Sequence, residues 1–282
     1  VSQTIVSPSP RSLARPASGI AAPGIDARWL QIGTLAGLLA LLLLRGDPGV
    51  ETLQAPVCIG AALLAQAACC RLFKVPFDWR SPAISGLSLS LLLRADALWL
   101  WALAGALAIG SKFTLRVRGK HVFNPANFAI AALLLAAPDA VWVSPGQWGD
   151  TLWLGALLVF AAIAVLGRAA RADTALAFVA CYGGLLLIRC LLLGDPLAIP
   201  AHQMRSGALL LFAFFMITDP RATPDSRAGR LVFAACVAAL AYWLQFRWQI
   251  RPGLFLALFA VSPLTPLLDR RLPARRFVWS GS

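Results

Sequence analysis

About ten apolar segments, separated by short connections that carry nearly all of the charge, leave this chain few folds to choose from. They run Trp29 to Leu44, Leu53 to Cys70, Pro82 to Leu93, Leu98 to Ile109, Phe123 to Ala137, Leu152 to Leu166, Thr174 to Leu193, Ser206 to Ile217, Leu231 to Leu244 and Pro252 to Leu268. Several are shorter than the roughly 20 residues a full span needs. Such segments read as short or broken helices, whose irregular backbone is tolerated at membrane depth only when protein covers it or it lines a cavity. Of the 282 residues 59% are hydrophobic and 13% charged, and the mean hydropathy is +0.75. No single water-soluble core of this length hides so much apolar surface, so the bilayer is the expected solvent.

The net charge of +13 sits in short basic clusters between apolar runs, not in one stripe among aromatics. A lipid partner is therefore expected and a nucleic-acid partner is not. When the connections are assigned to alternating sides, nineteen Lys and Arg fall on the side of the N-terminus and five on the other. That asymmetry predicts both ends in the cytoplasm and an even number of crossings of the bacterial inner membrane. Residues 1–27, rich in Pro, Ser and Ala, read as a disordered cytoplasmic tail, and 272–282 as a cytoplasmic C-terminal tail. Six cysteines (Cys58, Cys69, Cys70, Cys181, Cys190 and Cys236) fall within apolar runs, which argues against a secreted disulfide framework.

An odd number of crossings per half inverts the second half relative to the first. Segment starts pair at similar offsets: Trp29 with Leu152, Leu53 with Thr174, Pro82 with Ser206, Leu98 with Leu231, and Phe123 with Pro252. Ser85-Gly86 and Ser206-Gly207 each open a short run, and Pro125 and Pro252 each precede a phenylalanine by three residues. The expectation is an all-α polytopic membrane protein of two inverted five-segment repeats, 28–138 and 139–271.

Short helices in paired positions point to a membrane-embedded site, because their ends present unpaired backbone groups near the midplane. Ser206-Gly207 suits such an end, the hydroxyl as a cap and the glycine for close approach, although small residues also serve plain helix packing. Asn124 and Asn127 flank Pro125 at the entry to an apolar run. Asn124 as a cap with Pro125 at the first position accounts for half of this motif, while two amides there could also hold a ring's carbonyl and imide groups or a dehydrated cation. Asp219, between Thr218 and Pro220 and near Thr223, reads as a capped turn or as a cation or cofactor ligand at the edge of a short helix. His121 and His202 fall on opposite predicted sides and cannot share a haem, and adjacent Cys69 and Cys70 point to different helix faces, so no metal or iron–sulfur centre is expected.

These stretches carry a resemblance. In order they are Phe123-Asn124-Pro125-Ala126, Ser206-Gly207, Ala213-Phe214-Phe215, Thr218-Asp219-Pro220, Thr223-Pro224, Gly229-Arg230-Leu231, Gly253, Ala257 and Pro266-Leu267-Leu268-Asp269. From about Pro82 to Arg271 the chain resembles a family of membrane proteins that comprises the D-type component of the Rnf ferredoxin:NAD oxidoreductases and the B-type component of the sodium-pumping NADH:quinone oxidoreductases. It looks most like their shorter stand-alone relatives. The resemblance implies an inverted-repeat fold similar to urea transporters, a flavin and electron transfer within a larger redox complex. It also casts Ser144 to Thr151 as a version of the family's glycine-rich loop, with Asp150 in the glutamate position beside Gly149 and Thr151. The family's covalent FMN site, a threonine in Ser-Gly-Ala-Thr, has no counterpart between Asn127 and Gly149. Covalent FMN is thus not expected, and FMN or riboflavin would be held non-covalently.

The expected flavin-binding residues are Asn124, Asn127, Gly149, Asp150, Thr151, Ser206 and Gly207, around one cavity. If ions pass instead, the path candidates are Asp150, Thr218, Asp219 and Thr223. Three functions stay open: an electron-transport subunit among other membrane or redox subunits, a small-solute or ion channel on the same fold, and a structural subunit that has lost its redox group. No catalytic residue is assigned.

Overall fold

The computed structural model describes residues 26–46, 52–144, 146 and 171–277. The segment Leu152 to Leu166 and the predicted site residues Gly149, Asp150 and Thr151 lie outside the described residues, as do 1–25 and 278–282.

Helix α1 (Ala27–Leu44) starts on Asp26, whose carboxylate accepts the Arg28 N–H at 3.0 Å, and α2 (Gln54–Leu72) returns. Helix α3 (Arg80–Leu92) stops where Leu93 turns extended and passes into strand β1 (Leu93–Ala95). Helix α4 (Leu98–Thr114) leads to a small hairpin of β2 (Arg116–Val117) and β3 (Lys120–His121), then to α5 (Pro125–Ala136) and β4 (Val141–Val143). Strand β4 pairs antiparallel with β1, Arg94 opposite Trp142, which satisfies backbone that two short helices leave open.

The chain resumes with α6 (Ala172–Leu193), which ends on Gly194 in the left-handed conformation, as helix C-termini often do. After α7 (Ala198–Met204), helix α8 (Gly207–Leu211) runs on as a π-helical turn over Phe212–Met216. Helix α9 (Arg227–Phe246), α10 (Gly253–Val261), a 3-10 turn and α11 (Thr265–Arg271) complete the described chain. Among the described residues five helical stretches are long and apolar enough to cross a membrane: Ala27–Leu44, Gln54–Leu72, Ala172–Leu193, Arg227–Phe246 and Gly253–Arg271. Leu98–Thr114, Pro125–Ala136 and Gly207–Met216 are apolar but shorter. The fold is that of a polytopic membrane protein.

Helix α2 lies along α4, and α6 along α9; α4 also flanks α5, and α9 flanks α10. Gly105 permits the α2–α4 contact, since a Cβ there would strike the Cys58 carbonyl oxygen and approach the Ala62 nitrogen to 3.0 Å. The core is aromatic where the second half packs, with Phe178, Phe212 and Phe255 fully buried and in ring contact. Leu64, Leu176 and Leu192 stand more than two-thirds exposed, an outward apolar surface that suits lipid.

The helix ends that the charge count placed on one side lie together. At that end Arg28 bonds Asp26 and Asp78 at 2.7 Å each, and Arg80 bonds the same two carboxylates. Lys120 on the hairpin reaches both Asp225 and Asp269 at 3.0 Å. Arg230 at the start of α9 forks onto Asp173 at the start of α6. The Lys120 pairs join connections of the two halves, while the others tie helix ends within each half.

Candidate functional site at the basic end

A cavity of about 350 Å³ opens at this end. Its walls come from α1 (Arg28 and Gln31), α2 (Gln66), the 75–78 connection, α3, the end of α4 (Lys112), the hairpin (Arg116 and His121), the entry to α5 (Asn124) and the end of the π turn. Ser81, Ser85 and Ser88 recur at i, i+4 and i+7 on α3, so one helix face lays three hydroxyls along the wall. Lys112 Nζ donates to Ser81 Oγ at 2.8 Å and to Gln66 Oε1 at 3.3 Å. Phe113, Phe214 and Phe215 add apolar wall.

At one side of the cavity three polar residues meet across the two halves. His121 Nε2 lies 3.4 Å from Asp219 Oδ2, and Asn124 Nδ2 donates to the same oxygen at 3.5 Å. The Arg221 N–H donates to Asp219 Oδ1 at 3.0 Å, and the Asp219 carbonyl accepts from the Thr223 hydroxyl at 2.9 Å. Burial pushes the Asp219 carboxyl up, but the His121 hydrogen bond and charge, with the Arg221 N–H, outweigh it and hold the group below the usual carboxylate range.

Asn124 is the helix cap its position suggested: its Oδ1 accepts the Asn127 N–H at 3.0 Å, with Pro125 at the first helical position. Asn127, which that reading left unexplained, is fully buried, and its Nδ2 donates to the Phe255 carbonyl in the first turn of α10 at 3.1 Å. Two short helices, one from each half, are thus tied through their first turns. Asn127 Oδ1 is buried and has no partner among the described residues.

The predicted residues divide as follows. Asn124, Thr218 and Asp219 line the cavity; Asn127 sits directly behind its wall. Thr223 is buried and braces the Asp219 turn. Ser206 and Gly207 do not line the cavity. The Gly207 N–H donates to the Gly146 carbonyl at 2.9 Å, and Gly146 holds a φ of +60° where a Cβ would meet the Ala208 nitrogen at 2.6 Å. The Ser206-Gly207 helix start therefore meets the backbone at Gly146. Sequence reasoning missed Lys112 and the full serine face; the i, i+4, i+7 spacing of Ser81, Ser85 and Ser88 was the signal available.

Residues 144–278 match the family described as "NQR2, RnfD, RnfE family". The chain is 29% identical over 283 residues to the D component of the ion-translocating oxidoreductase complex of Stutzerimonas stutzeri, covering 74% of this chain and 80% of that one. It is 34% identical over 107 residues to the component of the same name from Shewanella amazonensis, covering 36% and 31%. With that of Tolumonas auensis it shares 35% over 78 residues, covering 28% and 22%. The chain thus spans less than a third of the length of these last two relatives. The structure and the matches agree on one conclusion: this is a polytopic membrane protein similar to the NQR2, RnfD, RnfE family, through residues 144–278 to the family itself and over most of its length to the D component of an ion-translocating oxidoreductase complex.

Proposed function

We propose that the chain is a membrane-embedded electron-transport subunit of a larger redox complex, holding a flavin non-covalently in the cavity at its basic end. The observation that carries this reading is the cavity itself. Its volume of about 350 Å³ lies within the range of small-molecule sites, and it combines apolar walls with a few convergent polar groups.

The residues fit a flavin in kind. The amides of Asn124 and Gln66 match the donors and acceptors of an imide edge, Lys112 supplies positive charge, and Phe113, Phe214 and Phe215 suit an apolar ring edge. When bound, a flavin supplies electron transfer at its ring system. The protein's own part is to orient the ring, to exclude water with the phenylalanines and to hold a fixed negative charge at Asp219. Asp219 is fixed by its contacts to His121, Asn124 and Arg221.

The relatives, named as parts of an ion-translocating oxidoreductase complex, support a setting among other subunits. The inverted repeat is the architecture we favour: α2 with α4 and α5 has the same neighbour pattern as α6 with α9 and α10. The basic end would face the cytoplasm of a bacterial inner membrane, as the positive-inside rule requires. The test is flavin content per protein, measured beside Ser88→Phe, which fills the cavity. Bound flavin in the unmodified protein and its loss in a folded variant is the expected result; equal flavin in both, or none in either, contradicts the site.

A second reading, a solute or ion path, is favoured by the serine face of α3, which lines the cavity wall beside Asp219. On that reading Asp219→Asn changes cation flux into proteoliposomes while helical content stays constant; unchanged flux counts against it.

A further inference from the structure

We propose that the basic end of the bundle is a docking surface for the acidic face of a soluble protein, seated over the mouth of the cavity. Each described aspartate at this end already contacts an arginine, lysine or histidine side chain there. Arg116, Arg118, Arg221, Arg227, Arg275 and Arg276 remain exposed around it. Arg116 and Arg221 also line the cavity, so the positive surface and the mouth are one place.

The surface is built, not loose. Arg118 and Gly119 form the two-residue loop of the β2–β3 hairpin, with φ of 53° and 77°. Left-handed geometry suits the glycine and is unfavourable for an arginine, yet an arginine is presented at the tip. Lys120 anchors the hairpin to Asp225 and Asp269, and Arg276 Nη2 donates to the Arg118 carbonyl at 2.6 Å. The hairpin therefore lies across the junction of the two halves.

Two further basic residues at this end have different company. Arg71 in the last turn of α2 and Lys74 just after it neighbour Phe73, Val75, Phe77 and Trp79, all exposed, and Trp29 packs edge-on against Trp79. Aromatics interleaved with cations mark contact with lipid headgroups. The stretches 114–120 and 221–228 contain no aromatic residue. These two positive stretches beside the cavity mouth match an acidic protein surface, whose complementary charge would steer encounter and set orientation. Its role, delivering a redox partner to the cavity, rests on the proposed function above; the docking does not.

The experiment uses the full chain in nanodiscs of phosphatidylcholine, which carry no net charge, and reads the fluorescence anisotropy of a fluorescein-labelled oligoglutamate. The variant Arg116→Glu with Arg118→Glu is expected to weaken binding by about tenfold and to gain binding of oligolysine, while Arg71→Glu with Lys74→Glu changes it less than about twofold. Absence of oligoglutamate binding overturns the proposal. So does equal weakening by both variants. Flavin content read on the same samples separates the two claims: binding without flavin overturns the proposed function alone, and flavin without binding overturns the docking alone.

Discussion

Asn124 serves two masters, the α5 backbone through its Oδ1 and Asp219 through its Nδ2. Asn124→Ala is expected to cost about 1 kcal/mol, and Asn124→Ser to recover most of it by restoring the cap, read as thermal midpoints in detergent. Asp26 and Asp78 belong to the residue scale as well. Burial raises both carboxyls, but hydrogen bonds from Arg28 to Asp26 and from Arg80 to Asp78, with the charges of both arginines, hold them below their ordinary value. A depressed carboxyl stabilises the fold above its unfolded pKa of about 4 and stops doing so as pH falls through the lower, folded value. Thermal stability should therefore be flat from about pH 7 to 5 and fall below about pH 4, with a shallower fall in Asp26→Asn with Asp78→Asn. The cap on α5 was legible because donor and acceptor lie three residues apart. The His121–Asp219 contact was not, since its partners are 98 residues apart, and a lysine ending an apolar run, such as Lys112, reads as a side chain reaching for the interface.

Helices meet most closely where side chains are smallest. A Cβ at Gly105 would meet backbone atoms of α2, so Gly105→Ala should separate α2 from α4 and cost about 1–3 kcal/mol. The hairpin offers a second measure. Lys120→Met leaves Asp225 and Asp269 facing each other without their shared cation, and a loss of about 3 kcal/mol is expected. Both are checked by thermal unfolding, and a Lys120→Arg variant should retain much of the stability. At this scale α1, α2 and α6 were legible within a few residues, because an apolar run bounded by charge or glycine has one reading. The β1–β4 ladder and the π turn after α8 were not: a three-residue strand carries no periodicity, and Phe212–Met216 reads as helix whatever its hydrogen-bond spacing.

The molecule as a whole is polarised, with most of its ion pairs and exposed arginines at one end, and at the other the turns around Ala137 to Val143 and Leu193 to Arg205 with the single pair Arg189–Asp195 among the described residues. Charge asymmetry made this legible from the sequence, since the helix ends it assigned to one side are the ends that ion pairs draw together. In a cysteine-free background, Asp139→Cys should react with an impermeant maleimide added to intact spheroplasts, and Arg118→Cys only after lysis. The opposite pattern would invert the proposed orientation. The central claim is that the cavity at the basic end holds a flavin without a covalent bond. It is tested most directly by the absorbance spectrum of the detergent-purified protein before and after acid precipitation. The account predicts a yellow protein whose flavin appears in the acid supernatant; a colourless protein, or colour that stays with the precipitate, would contradict it.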